Sequence, residues 1–145
     1  MIRSMVYDDI PFVHALEMET FGKSLEKDTL YGELSHNDLA HYFIYEETGK
    51  RLGYAGMRIM FPNAEIMNIA VVKHSRQKGA GTALMRHLIE VCKTHGVRAL
   101  TLEVRKDNDE AIRFYEGFDF ETITTRNDYY QDGTDALLMM KKVGV

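Results

Sequence analysis

The chain has 145 residues, of which 45% are hydrophobic and 28% charged, and its formal net charge is −4. This length and composition predict a single soluble domain over 1–145 that can bury a core, and the negative charge argues against general nucleic-acid binding. No run approaches the roughly 20 apolar residues that span a bilayer, and the N-terminus lacks a cleavable apolar segment, so we expect a cytoplasmic protein without membrane contact.

The first half of the chain predicts an early pair of helices between strands. Residues 1–7 are predicted as a strand, and Asp8-Asp9 with Pro11 open a helix that ends at about Phe21. A second short helix covers about Lys27 to Leu34. Three strands follow, the first two joined by a hairpin turn at Thr48-Gly49-Lys50: His41 to Glu46, Arg51 to Met60 and Ala64 to Val72.

The second half predicts helix, strand, helix and two further strands. An amphipathic helix begins near Thr82 and ends before Gly96, a natural residue for the position after a helix. In the strand from Val97 to Val104, Glu103 lies on the face opposite Leu102. A short helix follows, capped by Asn108 or Asp109, with Ala111, Ile112 and Tyr115 on one side. Two strands are predicted after it, at about Glu121 to Thr125 and Ala136 to Lys141.

A basic glycine loop joins the Ala64 to Val72 strand to the next helix. No Asp or Glu occurs between Ile66 and Ile89, although the chain has 22 of them. Glycines and free N–H groups at a helix N-terminus favour phosphate oxygens, so this loop predicts a phosphorylated ligand. A Walker loop needs Lys and then Ser or Thr after the last glycine, and a dinucleotide fingerprint needs a third glycine where this chain has Leu84, so both are excluded.

The loop Arg76-Gln77-Lys78-Gly79-Ala80-Gly81 fits the pattern Gln/Arg-x-x-Gly-x-Gly/Ala and resembles the pyrophosphate loop of the GCN5-related N-acetyltransferase (GNAT) family. Further segments, in the right order from about Ala64 to Lys141, resemble the bacterial ribosomal-protein-alanine N-acetyltransferases of the Rim type. They are Asn68-Ile69-Ala70-Val71, Leu102-Glu103-Val104-Arg105 with Asn108-x-x-Ala111-x-x-x-Tyr115, Tyr129-Tyr130, and Asp132-Gly133 with Asp135-Ala136-Leu137-Leu138-Met139.

The resemblance implies a mixed α/β domain, with a mostly antiparallel twisted sheet of about seven strands and about four helices. It also implies acetyl-CoA as co-substrate, with a backbone N–H on the Ile69 to Val72 strand meeting the oxyanion. The cofactor-binding positions that it implies are Ile69, Val71, Arg76, Gln77, Lys78, Gly79, Ala80, Gly81, Thr82 and Asn108.

The same resemblance assigns the general base to Glu103, acting directly or through water, the general acid to Tyr115, and the wall of a peptide channel to Tyr129 and Tyr130. An α-amine has a pKa of about 8 and a lysine about 10.4, so a weak base suffices for an N-terminal amine. The implied acceptor is the N-terminal alanine of small-subunit ribosomal protein eighteen. Two alternatives stay open: acetylation of a small-molecule amine, and a non-catalytic acyl-CoA-binding module.

Other residues favour structural roles. Cys92, the only cysteine, falls on the apolar side of its helix and is expected to pack there, and none of the six histidines pairs at the i, i+4 spacing of a helical zinc site, so no metal is expected. The chain departs from the subfamily at two places. Gly22-Lys23-Ser24 stands where relatives have Pro-Trp-Ser, and Asp119 stands at an expected glycine.

Overall fold

A computed structural model describes residues 1–22, 27–76 and 78–144. It contains the predicted order of elements, with short 3₁₀ turns at Tyr7–Asp9 and Lys73–Ser75. The strands are β1 Ile2–Ser4, β2 Ala40–Glu47, β3 Lys50–Met60, β4 Asn63–Val71, β5 Ala99–Arg105, β6 Glu121–Arg126 and β7 Ala136–Lys142. The helices are α1 Ile10–Phe21, α2 Lys27–His36, α3 Ala80–Thr94 and α4 Asp109–Glu116. The described helices include none that is long and apolar enough to cross a membrane.

Several predicted boundaries differ from the structure by one to three residues, and two of the differences have a clear local reason. β1 ends at Ser4, because the Val6 N–H donates to the Asp9 carboxylate at 2.8 Å and draws the chain into the first 3₁₀ turn. Helix α3 begins two residues before the predicted Thr82, because Gly79 has φ 93° and serves as its N-cap. The capping role predicted for Asn108 or Asp109 belongs to Asn108.

The seven strands form one sheet in the order β1-β2-β3-β4-β5-β7-β6. All neighbouring strands are antiparallel except β4 and β5, which confirms the predicted mostly antiparallel sheet. The parallel pair extends only from Asn63 opposite Ala99 to Glu65 opposite Thr101. Beyond those residues β4 and β5 continue without pairing, so a gap opens in the middle of the sheet.

A β-bulge in β4 lies at the start of this gap. Gly56 of β3 is opposite Asn68 and Met57 is opposite Ile66, which leaves Met67 as the extra residue. The extra residue changes which positions face which side of the sheet. Ile66 belongs to the core under α3, Ala70 belongs to the core under α1 and α2, and Ile69 again packs on the α3 side.

Each face of the sheet has its own core. Helix α3 buries an apolar stripe against one face, formed by Leu84, Met85, Leu88 and Cys92. The packing role predicted for Cys92 is confirmed: its Sγ lies 3.5 Å from Met57 Sδ, and burial raises the pKa of the thiol to about 11. The other face, under α1 and α2, has a smaller apolar core and the buried acids Asp9, Glu17 and Glu33.

Candidate active site

A cavity of about 1410 Å³ lies in the gap between β4 and β5. Its walls come from the C-terminal part of α1, from β4 after Glu65, from β5 after Thr101, and from α4. The glycine loop and the start of α3 line one part, and residues 130–132, between β6 and β7, line another. The cavity therefore brings together segments that are far apart in the sequence.

The glycine loop ends in an exposed helix N-terminus. The first α3 hydrogen bond described runs from Ala83 N–H to Gly79 O at 2.9 Å, so the N–H groups of Ala80, Gly81 and Thr82 have no acceptor within the helix. Gly79 has no side chain that could cap them, and a Cβ there would meet no atom within 4 Å. This set of N–H groups, without an acceptor among the described residues, lies at the positive end of the helix dipole and fits a pyrophosphate.

Arg76 connects the glycine loop to β4 and α1. Its Nε donates to Val71 O at 3.1 Å, and its Nη2 lies 3.5 Å from Thr20 Oγ1 of α1. The side chain is exposed and lines the cavity, so it also provides positive charge there.

The cofactor-site positions predicted from the sequence have different placements. Most of them line the cavity: Ile69, Val71, Arg76, Gly79, Gly81, Thr82 and Asn108. Lys78 is exposed on the loop, whereas Ala80 is buried beneath it, and neither lines the cavity. Gln77 lies outside the described residues, as do Lys23 and Ser24 of the first subfamily departure.

Asn108 has a structural contact in addition to its place at the cavity. Its Oδ1 accepts the Ala111 N–H at 3.2 Å, and its own N–H donates to Arg105 O at 3.0 Å. These two bonds fix the start of α4 relative to the end of β5, and α4 carries Tyr115.

Glu103 and Tyr115 both line the cavity. Glu103 extends from β5 with its side chain 18% exposed, and Arg126 Nε of β6 lies 3.3 Å from its Oε2. That approach lacks hydrogen-bond geometry, so Oε2 is buried without a hydrogen-bond partner among the described residues. The Glu103 carboxylate therefore keeps an unused acceptor position, as a group that must take up a proton requires.

Tyr115 lies among aromatic rings at the inner side of α4. Its ring centroid is 5.5 Å from that of Phe114 and 5.9 Å from that of Phe120, both edge to face. Burial raises the pKa of its phenol to about 12, and the neighbouring Tyr130 adds to the shift. The hydroxyl therefore keeps its proton at neutral pH and is available as a donor.

The two tyrosines predicted to line a peptide channel are adjacent to this pair. Their rings meet edge to face at 5.1 Å. Tyr130 lines the cavity, whereas Tyr129 does not. Burial raises the pKa of Tyr129, and the charge of the Glu103 carboxylate and a hydrogen bond to it raise the pKa further.

A buried polar triad on the α1 side was not predicted from the sequence. Glu17 is 3% exposed, and its Oε2 accepts from Tyr54 Oη at 2.5 Å and from Asn68 Nδ2 at 3.0 Å. Because Asn68 directly follows the bulged residue Met67, this triad ties α1 to the bulge. One signal was available: Glu17 follows Ile10 and Val13 at i+7 and i+4, so a carboxylate falls on an apolar helical stripe.

The described residues contain no group of three or more His, Cys, Asp or Glu side chains that could hold a metal ion. The polar groups of the cavity are instead backbone N–H groups, carboxylates, phenols, side-chain amides and guanidiniums. Such a set can bind a phosphorylated ligand and move protons.

Comparisons with known proteins agree with this geometry. Residues 10–120 match the model of the Acetyltransferase (GNAT) family. The [ribosomal protein bS18]-alanine N-acetyltransferase of Escherichia coli K12 is 30% identical over 141 residues, which cover 96% of this chain and 94% of that protein. A Bacillus subtilis 168 protein, provisionally given the same name, is 38% identical over 139 residues, which cover 95% of this chain and 92% of its own. The crystal structure of the Escherichia coli ribosomal-protein-S18-alanine N-acetyltransferase superimposes with a TM-score of 0.90 at 30% identity, covering 100% of this chain and 94% of that one.

Proposed function

The chain belongs to the acetyltransferase (GNAT) family and is an acetyl-CoA-dependent N-acetyltransferase; from this premise we propose that it acetylates the N-terminal alanine of ribosomal protein bS18. The names of the relatives supply the acceptor. One observation carries the catalytic part of the proposal: a single cavity joins the glycine loop, Glu103, Tyr115 and Tyr130.

The donor binds along the glycine loop and the start of α3. The pyrophosphate accepts hydrogen bonds from the N–H groups of Ala80, Gly81 and Thr82, and Arg76 adds positive charge. The thioester then extends into the gap beside β4. Since β5 leaves β4 after Glu65, the β4 backbone groups that point toward β5 have no strand partner there. An N–H in the Ile69–Val71 segment is thus available to the thioester oxygen as negative charge develops on it.

Glu103 and Tyr115 move the two protons of the reaction. The neutral α-amine attacks the thioester carbon, and the new C–N bond forms as the C–S bond breaks. The amine proton passes to Glu103, directly or through one water, and the departing sulfur takes a proton from the Tyr115 hydroxyl. The products are an acetylated N-terminus and free CoA thiol, and solvent returns the proton from Glu103 to the phenolate.

The test begins with a set of peptides that differ at their first residues, including the bS18 N-terminus, with products identified by mass spectrometry. We expect acetylation of the bS18 peptide at its α-amine. Acetylation of small amines alone would contradict the proposed acceptor, and acetyl-CoA binding without any transfer would contradict the enzyme.

Two variants then test the roles of the acid and the base. Tyr115→Phe should lower kcat/KM by roughly 10²- to 10⁴-fold, since it removes a positioned acid at nearly constant volume. Glu103→Gln should also lower the rate, and its deficit should shrink as the pH rises through the pKa of the peptide amine, about 8, because solvent then supplies the neutral amine. Calorimetry should find acetyl-CoA affinity unchanged in both variants. If either variant kept the wild-type rate across the pH range, the residue changed in that variant would have no role in proton transfer.

A further inference from the structure

One arginine contacts three residues of the segment that carries the two tyrosines. We define the tyrosine loop as residues 127–135, between β6 and β7. Arg105, the last residue of β5, donates through Nη2 to Asp132 Oδ2 at 2.6 Å and to Thr134 Oγ1 at 2.8 Å. Its guanidinium carbon also lies 4.9 Å from the centroid of the Tyr130 ring. Arg105 thus contacts three alternate residues of the loop, from Tyr130 to Thr134.

Hydrogen bonds within the tyrosine loop link the residues that Arg105 contacts to one another. Tyr130 N–H donates to Thr134 O at 3.1 Å, and Gly133 N–H donates to Tyr130 O at 2.9 Å. The Thr134 N–H donates to Asp132 Oδ1 at 3.0 Å. Because these bonds link Asp132 and Thr134 to Tyr130, holding the first two residues also positions the Tyr130 ring.

The other contacts of Arg105 connect the loop to the catalytic wall. Its carbonyl accepts the N–H of Asn108, the cap of the helix that carries Tyr115. Its side chain bonds in parallel to Asp107, with Nε to Oδ1 at 3.2 Å and Nη2 to Oδ2 at 3.3 Å. Arg105 is two residues from Glu103 in β5 and also lines the cavity. Arg105 therefore connects the tyrosine loop to the strand that carries Glu103 and to the helix that carries Tyr115.

The chemistry of this position requires arginine specifically. A planar guanidinium can donate to several acceptors in one plane while its face stacks on an aromatic ring, whereas a lysine ammonium provides a point charge without that geometry. The acids involved are largely exposed, with Asp107 at 62% and Asp132 at 57%. Exposed ion pairs contribute little to global stability, so the contacts matter for position more than for folding.

We propose that Arg105 is a positioning residue that holds the tyrosine loop against the cavity and thereby sets the affinity for the acceptor peptide. This rests on the proposed function, in which Tyr130 borders the peptide site. Arg105 touches no reacting atom in this scheme. Its loss should consequently weaken peptide binding while the chemical step and the donor site are preserved.

The test compares Arg105→Gln, Arg105→Lys and the control Lys106→Gln, which changes an exposed neighbouring side chain. Arg105→Gln should raise the peptide KM about tenfold, the scale of one lost stacked and charged contact. The value of kcat and the acetyl-CoA affinity should stay within about twofold of wild type, Arg105→Lys should be intermediate, and Lys106→Gln should match wild type. Adding Arg105→Gln to Tyr130→Ala should raise KM little further, because both changes remove the same contact.

A second readout does not depend on turnover. Amide hydrogen exchange at Tyr130, Gly133 and Thr134 should become faster in Arg105→Gln and remain unchanged in Lys106→Gln. Unchanged exchange, or an unchanged peptide KM in an active enzyme, would overturn the proposal. If the wild type acetylates no peptide, the proposed function fails, while the exchange rates still decide whether Arg105 holds the loop.

Discussion

The two faces of the sheet stabilise this protein in different ways. The face covered by α3 and α4 packs side chains such as Leu84, Leu88 and Cys92 and buries no carboxylate among the described residues. The face covered by α1 and α2 buries Asp9, Glu17 and Glu33. Apolar burial needs only complementary shape, whereas a buried carboxylate needs donors at defined positions. The second face should thus lose stability as its carboxylates are protonated, whereas the first face has no buried carboxylate among the described residues to contribute to that loss.

Asp9 is the clearest case of a carboxylate supplied with donors. Arg3 and Arg51 each donate to it, at 2.8 Å and 2.7 Å, and so does the Val6 N–H. Burial alone would raise the pKa of this carboxyl, but the hydrogen bonds from Arg3, Val6 and Arg51 outweigh burial and hold the pKa well below its usual range. Glu33, which pairs with Arg58 and Asn37, also has a lowered pKa for the same balance of reasons.

The largest expected effect tests the apolar face. Leu88→Ala should lower the free energy of unfolding by about 3–4 kcal/mol, because Leu88 is fully buried and its truncation leaves a cavity. Urea unfolding between pH 7 and pH 3 should give a curve parallel to that of wild type, since no titrating group is changed. The exposed neighbour Glu90→Ala is the control at pH 7. A changed pH slope in Leu88→Ala would mean that the packing of α3 is coupled to a titrating group, either the neighbouring His87 or the carboxylates of the other face.

The next prediction concerns the ligand site on the same face. Acetyl-CoA at a hundredfold its Kd should stabilise the wild type by about 2.7 kcal/mol, and Gly79→Asp should lose that gain. The new carboxylate would oppose the pyrophosphate, and a Cβ at φ 93° would strain the loop. Thermal unfolding with and without ligand measures the gain. Gly49→Asp, at a distant turn with φ 76°, controls for strain alone and should keep the ligand shift. If acetyl-CoA raised the unfolding temperature equally in wild type and Gly79→Asp, acetyl-CoA would have to bind away from the glycine loop.

Asp9→Asn tests the charged face. It should cost about 2 kcal/mol at pH 7, since hydrogen bonds to charged groups are lost. A group with a lowered folded-state pKa contributes stability above its unfolded pKa of about 3.9 and loses it as the pH falls toward the folded value. Asp9→Asn should therefore unfold with a flatter pH dependence than wild type below about pH 5, whereas the exposed Asp8→Asn should follow wild type. Identical slopes in Asp9→Asn and wild type would assign the acid sensitivity to other groups.

The smallest effect concerns a backbone strain close to α4. Asp119, which stands where the sequence pattern led us to expect glycine, has φ 70°. Asp119→Gly should raise stability by about 0.5–1 kcal/mol by removing the Cβ from a left-handed conformation, and Asp119→Ala, which retains it, should not. Chemical denaturation of the three proteins gives the comparison. A gain in Asp119→Ala would point to charge and not to backbone strain.

Patterns between near neighbours predicted the elements of the fold well. The apolar run before the glycine loop, the alternation around Glu103 and the Asn108 cap all depend on residues within one or two turns or strand steps. The expectation of glycine at position 119 belongs to the same class, because the positive φ found there is a local property. The boundaries of β1 and α3 were wrong by a few residues, since each was set by one hydrogen bond or one glycine dihedral.

The sequence by itself determined the order of helices and strands and the glycine loop before α3, because periodicity and helix-end chemistry act over short separations. Only the tertiary structure decided where β4 and β5 separate, where Met67 bulges, and that Glu17 meets Asn68, 51 residues away, and Arg105 meets Asp132, 27 residues away. Those contacts depend on how the whole sheet pairs and twists. Strand pairing is a competition among many distant partners, and its outcome is absent from any short stretch of the chain.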